Sequence, residues 1–113
     1  MRRNKTMTDP TFAGRSPLDD TGNQYIIERT VPGADRLTAA ELKAISQKSR
    51  MILEALGPQI QWQQSYVAEG KFYCVYEAPN KDIIAKHAEL GGFPADRIVQ
   101  VCRMIGPQTA EDI

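Results

Sequence analysis

A chain of 113 residues fits one domain, and its 14 basic residues balance 14 acidic ones, so no global field draws it to nucleic acid or to an anionic membrane surface. No apolar run approaches the roughly 20 residues that cross a bilayer, and the basic N-terminus has no apolar core behind it, so it does not read as a signal peptide. Two cysteines are too few for a secreted disulfide framework, and together these features point to the cytoplasm.

Residues 1–23 are rich in Thr, Asp, Arg, Gly and Pro, with Phe12 and Leu18 as the sizeable apolar anchors, and read as a mobile tail. The first strand is Gln24–Val31, dense in β-branched and aromatic residues and closed by Pro32-Gly33. Thr38 and Glu41 stand at capping-box spacing and open a helix. Leu42, Ile45, Ser49, Ile52, Leu53 and Leu56 form one stripe along it, and Gly57-Pro58 stops it. Ile60–Val67 and Lys71–Ala78 are two strands of a hairpin that turns at Glu69-Gly70, where glycine supplies a positive φ. Asn80 caps a second helix reaching about Leu90, with Ile83, Ile84, His87 and Ala88 on one side and Gly91-Gly92 at its end. Arg97–Ile105 is the fourth strand, ended by Gly106-Pro107, and a short polar tail over 106–113 follows.

Two strand-helix-strand crossovers separated by a hairpin give a βαββαβ, ferredoxin-like α+β sandwich over 24–105, with both helices on one face of a four-stranded antiparallel sheet. The second and fourth strands lie at its edges. Cys74 on strand three and Cys102 on strand four are then two strand spacings apart, about 10 Å, and stay free thiols. Strict alternation puts Trp62, Gln64 and Tyr66 with Tyr73, Val75 and Glu77 on one face, and Ser65 and Val67 with Phe72, Cys74 and Tyr76 on the other. Both faces carry large apolar groups and two helices cover only one, so the open face calls for a second copy of the chain, as in a dimeric α+β barrel. Which set meets the helices is left open by the pattern.

His87 is the one histidine and lies on the apolar side of the second helix. It reads as a metal ligand, a general acid or base, or a core histidine held by a carbonyl or a tyrosine hydroxyl. Cys74, Tyr76 and Glu77 are its candidate neighbours on the central third strand, which gives His87, Cys74 and Glu77 as a metal set suited to nickel or another divalent transition ion. Alternation keeps Cys74 and Glu77 on different faces, so a single chain supplies no clear third ligand. Trp62, Tyr66 and Tyr76 form an aromatic set for a small planar ligand, the basis of an alternative reading as a small-molecule-binding or enzymatic barrel. No glycine-rich phosphate loop, GxSxG elbow or paired-histidine motif is present, no basic groups interleave the aromatics, and no organic cofactor is expected.

The order Tyr25-Ile-Ile-Glu-Arg, Thr38-Ala-Ala-Glu-Leu, Gly57-Pro-Gln-Ile-Gln-Trp62, Ser65-Tyr-Val, Phe72-Tyr-Cys-Val-Tyr76 and His87-Ala-Glu-Leu-Gly-Gly-Phe-Pro-Ala95 resembles a bacterial family of small ferredoxin-like domains, largely of unknown function, that includes a nickel-binding protein. The resemblance covers about Gln24 to Thr109. It implies a homodimer joined through the sheets, while the balanced charge leaves no nucleic acid or membrane partner expected. The chain matches the family pattern at His87 and Cys74, with no other histidine to complete a nitrogen-rich site, and these residues with the resemblance give the first reading, a non-enzymatic dimeric nickel-binding protein in metal homeostasis or sensing.

Overall fold

The computed structural model describes residues 23–111, so the expected tail with Phe12 and Leu18 lies outside the described residues. Strand β1 (Gln24–Thr30) leads through a 3-10 turn (Ala34–Arg36) into helix α1 (Ala39–Leu56). The hairpin β2 (Gln61–Ala68) and β3 (Lys71–Glu77) follows, then α2 (Lys81–Gly91), β4 (Arg97–Gln100) and a closing 3-10 helix (Pro107–Glu111). All strand pairs are antiparallel and the order across the sheet is β2-β3-β1-β4. This is the expected split arrangement, with the second and fourth strands at the edges.

The local signals act as chemistry requires. Thr38 Oγ1 accepts from the Glu41 N–H at 3.1 Å while Glu41 Oε1 accepts from the Thr38 N–H at 2.8 Å, a complete capping box. Asn80 Oδ1 caps α2 by accepting from the Ile83 N–H at 3.1 Å. Gly70, at φ 69°, makes the two-residue hairpin turn between Ala68 and Lys71.

The register settles which face meets the helices. Tyr25, Ile27 and Arg29 of β1 alternate inward with Phe72, Cys74 and Tyr76 of β3, and the apolar members pack against Leu53 of α1 and Ile84 of α2. The open face carries Ile26 and Glu28 of β1 and Tyr73, Val75 and Glu77 of β3, with Tyr66 opposite Tyr73.

Two expectations need correction. Trp62 does not share the open face with Gln64 and Tyr66, because the register shifts between Trp62 and Gln64 and leaves Gln63 as an extra residue. Such a bulge moves everything before it to the other face. Trp62 therefore pairs with Tyr76 on the helix side, where its indole N–H donates to Ser65 Oγ at 2.9 Å. The fourth strand also ends at Gln100 rather than Ile105. Its one partner is β1, which begins at Gln24, and the Val101 N–H already reaches the Gln24 carbonyl at 2.8 Å. Beyond that point no strand pairing is made among the described residues, so Cys102 lies outside the strand; both cysteines are free, Cys74 buried and Cys102 exposed.

Candidate functional site

Between the helix face of the sheet and the two helices lies a group of buried polar side chains that an apolar core does not need. Arg29, Ser49 and His87 are all buried, one each from β1, α1 and α2. Each arrives there by period: Arg29 follows Tyr25 and Ile27 in the strand alternation, Ser49 sits in the α1 stripe, and His87 lies one turn beyond Ile83 and Ile84.

Arg29 holds the group together. Its Nε donates to Cys74 Sγ at 3.4 Å, Nη1 to the Pro94 carbonyl at 2.6 Å, and Nη2 to the Tyr76 hydroxyl at 3.5 Å. None of these acceptors is a carboxylate, so no hydrogen-bonded counter-ion sits on the guanidinium inside the fold. Phe93 packs over it, with the Arg29 Cζ 5.6 Å and the Lys48 Nζ 5.5 Å from the ring centroid.

His87 is fully buried and lies between Tyr76 and Phe93, at ring-centroid separations of 5.4 and 5.5 Å. Its Nε2 is 3.1 Å from Ser49 Oγ, and its Nδ1 is buried with no hydrogen-bond partner among the described residues. Burial, and then the Arg29 charge, push its pKa from the ordinary 6.5 down to about 4. The ring is neutral at pH 7 and carries one proton. We assign that proton to Nε2, donating to Ser49, because an orphaned N–H is rarer in folded proteins than an orphaned acceptor. Nδ1 is then a buried lone pair. Desolvation likewise raises the Tyr76 hydroxyl above its usual range, against the opposing pull of Arg29.

The Phe93 position depends on Gly91. A Cβ there would run into the Phe93 ring, and the chain turns at once through Gly92, at φ 67°, with the Phe93 N–H bonding back to the Ala88 carbonyl at 2.9 Å. The Gly-Gly-Phe-Pro segment thus folds back over His87 and is fastened by Arg29 at Pro94.

The structure divides the predicted metal set. His87 and Cys74 are buried on the helix side, whereas Glu77 stands on the open face, as alternation required. Among the described residues no three or more His, Cys, Asp or Glu side chains gather into a group able to hold an ion, and a persistent site needs three or more ligands. Arg29 adds an electrostatic objection, because its guanidinium, which donates to Cys74 Sγ, repels a dication brought to the same side of the sheet. One copy therefore supplies at most His87 and Cys74 to an ion, and the enclosed site as it stands does not complete a ligand set. The aromatic set is divided too, with Trp62 and Tyr76 inward and Tyr66 exposed on the other face, so these three do not line one pocket. Arg29, Ser49 and Phe93 were not singled out from sequence as site residues. The signal for Arg29 was present, since it has the same parity as Tyr25 and Ile27.

At the sheet's other face, Lys71 pairs with Glu28, which raises the lysine pKa. Asp96 Oδ2 accepts from the Thr30 N–H at 2.5 Å, which holds its carboxyl below the usual range.

Comparison with known proteins gives the site its context. No curated protein matches the chain. The crystal structure of SCO4226 from Streptomyces coelicolor A3(2) is similar, with 21% sequence identity and a TM-score of 0.60 over 73% of this chain and 99% of that one, a likeness of fold. The family described as nickel responsive protein SCO4226-like matches residues 25–101, which takes in Arg29, Ser49, Cys74, His87 and Phe93, and the chain belongs to that family.

Proposed function

We propose that the protein is a nickel-responsive homodimer that binds the ion through His87. Membership of a family described as nickel responsive supports the metal, and the buried lone pair of His87 Nδ1 is the observation that carries the site. Metal binding requires a neutral imidazole, and a pKa of about 4 leaves no proton to displace at pH 7. Cys74 is the one thiol on the same buried side of the sheet. His87 is wholly enclosed, so an ion reaches Nδ1 only after the segment from Gly91 to Pro94 has moved aside. Binding then selects an opened form, and the apparent affinity is reduced by the fraction of molecules that are open. Coupling of that kind suits a response to nickel better than storage of it.

The homodimer is supported by the open face. Ile26, Tyr66, Tyr73, Val75 and Val99 all lie on the sheet side away from the helices, and a second copy supplies a matching surface by two-fold symmetry.

Isothermal titration with nickel tests the site. The expected result is saturable binding with one ion per chain, lost in His87→Ala and strengthened in Phe93→Ala, which removes the ring closing over the imidazole. No saturable binding, or unchanged binding in His87→Ala, removes the proposal.

A further inference from the structure

The phenyl ring of Phe93 collects partners from three elements of the fold. The His87 ring lies 5.5 Å from its centroid, and Arg29 Cζ and Lys48 Nζ stand 5.6 and 5.5 Å from that centroid. These separations are those at which a ring attracts an aromatic neighbour or a cation. The partners come from β1, α1 and α2, whereas Phe93 belongs to no helix or strand. Beside the ring, the Pro94 carbonyl accepts from Arg29 Nη1 at 2.6 Å. The segment thus presents a ring to an aromatic seat and, next to it, an oxygen to a buried guanidinium.

The seat is rigid and its occupant is the loose part. Arg29 and His87 are 4% and 0% exposed, and Cys74 and Tyr76 hold the other two nitrogens of the guanidinium. Phe93 is half-buried, and Pro94, Ala95 and Asp96 are exposed. The backbone is fastened on either side, by the Phe93 N–H to the Ala88 carbonyl and the Asp96 N–H to the Glu28 carbonyl. Pro94 has no N–H to give, and Arg29 is its tie to the sheet. A neutral carbonyl is also the weaker partner for a guanidinium, since a carboxylate makes a charge-assisted and often bidentate pair about twice as strong.

We infer that the place of Phe93 and Pro94 is a binding site for a small arylalkanoate, a ring joined to a carboxylate by a short carbon chain, with the segment as its internal stand-in. The ligand's ring takes the position of Phe93 against His87, and its carboxylate replaces the Pro94 carbonyl on Arg29. Lys48, exposed at the rim, adds a second positive charge beside the bound anion. The tethered stand-in competes at an effective concentration of order millimolar, so the site binds weakly until the ring of Phe93 is removed. Recognition here needs no metal and goes beyond the nickel reading, although both begin with displacement of the same segment.

3-Phenylpropanoate is titrated into the metal-free full chain and into Phe93→Ala, followed by calorimetry and by the imidazole proton signals of His87. 2-Phenylethanol supplies the ring without the charge, and acetate and inorganic phosphate supply the charge without the ring. The expected result is one site per chain, at least about ten-fold tighter in Phe93→Ala than in the wild type, with a shift of the His87 signals on binding. Each of the three controls is expected to bind at least ten-fold more weakly. Lys48→Glu in the Phe93→Ala background is expected to weaken phenylpropanoate about five-fold. No saturable binding to either protein overturns the inference and leaves nickel to its own titration. Binding to the wild type as tight as to Phe93→Ala, binding that leaves the His87 signals unmoved, or affinity unchanged by Lys48→Glu places the ligand elsewhere and overturns it. 2-Phenylethanol binding as tightly would reveal an apolar hole, and acetate or phosphate binding as tightly a plain anion site; either overturns the arylalkanoate. Loss of far-UV circular dichroism in Phe93→Ala overturns it too, because a ring the fold cannot spare is core and not a stand-in.

Discussion

Arg29 and His87 set each other's chemistry. The guanidinium is one reason the imidazole titrates at about 4, burial being the larger, and this chain has one histidine, so its ring can be followed by NMR without assignment. In Arg29→Met the charge is gone and the desolvation remains. The His87 pKa is expected to rise above 4 yet stay below 6.5; a value still at 4 would show that the charge contributes nothing. Arg29→Ala, which also leaves the Pro94 carbonyl and the Tyr76 hydroxyl without their donor, is expected to cost about 3 kcal/mol in urea unfolding. Stability should follow pH through the same group. The folded pKa lies below the unfolded one, so the unfolded chain takes up the proton first as pH falls. The contribution is complete above about 6.5 and is lost progressively toward 4, a loss of up to about 3 kcal/mol. Unfolding midpoints measured across that window should fall in the wild type and lie flatter in His87→Gln; equal slopes would show that His87 is not the group responsible.

Elements were legible in the sequence wherever the signal is local. The capping box at Thr38 and Glu41, the Asn80 cap and the Glu69-Gly70 turn are each decided within a few residues, and all appear where the spacing put them. The misses are nonlocal. Nothing in Gln61–Ala68 marks Gln63 as an extra residue, since the bulge exists only relative to β3, and with it the side on which Trp62 falls. Likewise Arg97–Ile105 has strand composition throughout, but among the described residues pairing stops at Gln100. The site was half legible: the inward direction of His87 followed from helix periodicity, while its neighbours Arg29 and Phe93 depend on which sheet face meets the helices. Gly91 shows the same dependence at the end of α2. Alanine in a helix is ordinarily better than glycine by about 1 kcal/mol, but here its Cβ meets the Phe93 ring. Gly91→Ala is therefore expected to destabilise the fold, and in a double-mutant cycle with Phe93→Ala the penalty should vanish or change sign. A penalty that persists without the ring would place its cause in the backbone.

At the scale of the whole molecule, the sheet separates two surfaces. His87 and Cys74 lie beneath the helices, and the face proposed for the second copy lies on the other side. Glu77 alone of the predicted metal set stands on that second side, opposite Gln24 and Gln61. Geometry therefore ties the position of the ion to its effect on assembly. An ion held at His87 touches one copy only, and by linkage it alters dimerisation only to the extent that the two copies meet differently when α2 opens. An ion shared at Glu77 would bridge the copies directly, and each would then strengthen the other. Measuring the dimer dissociation constant with and without saturating nickel distinguishes the two. We expect a change of less than about three-fold, with binding abolished in His87→Ala and retained in Glu77→Gln. A tightening of ten-fold or more, lost in Glu77→Gln, would move the ion to the seam between the copies and leave His87 as a buried structural histidine, held by Ser49 and closed over by Phe93.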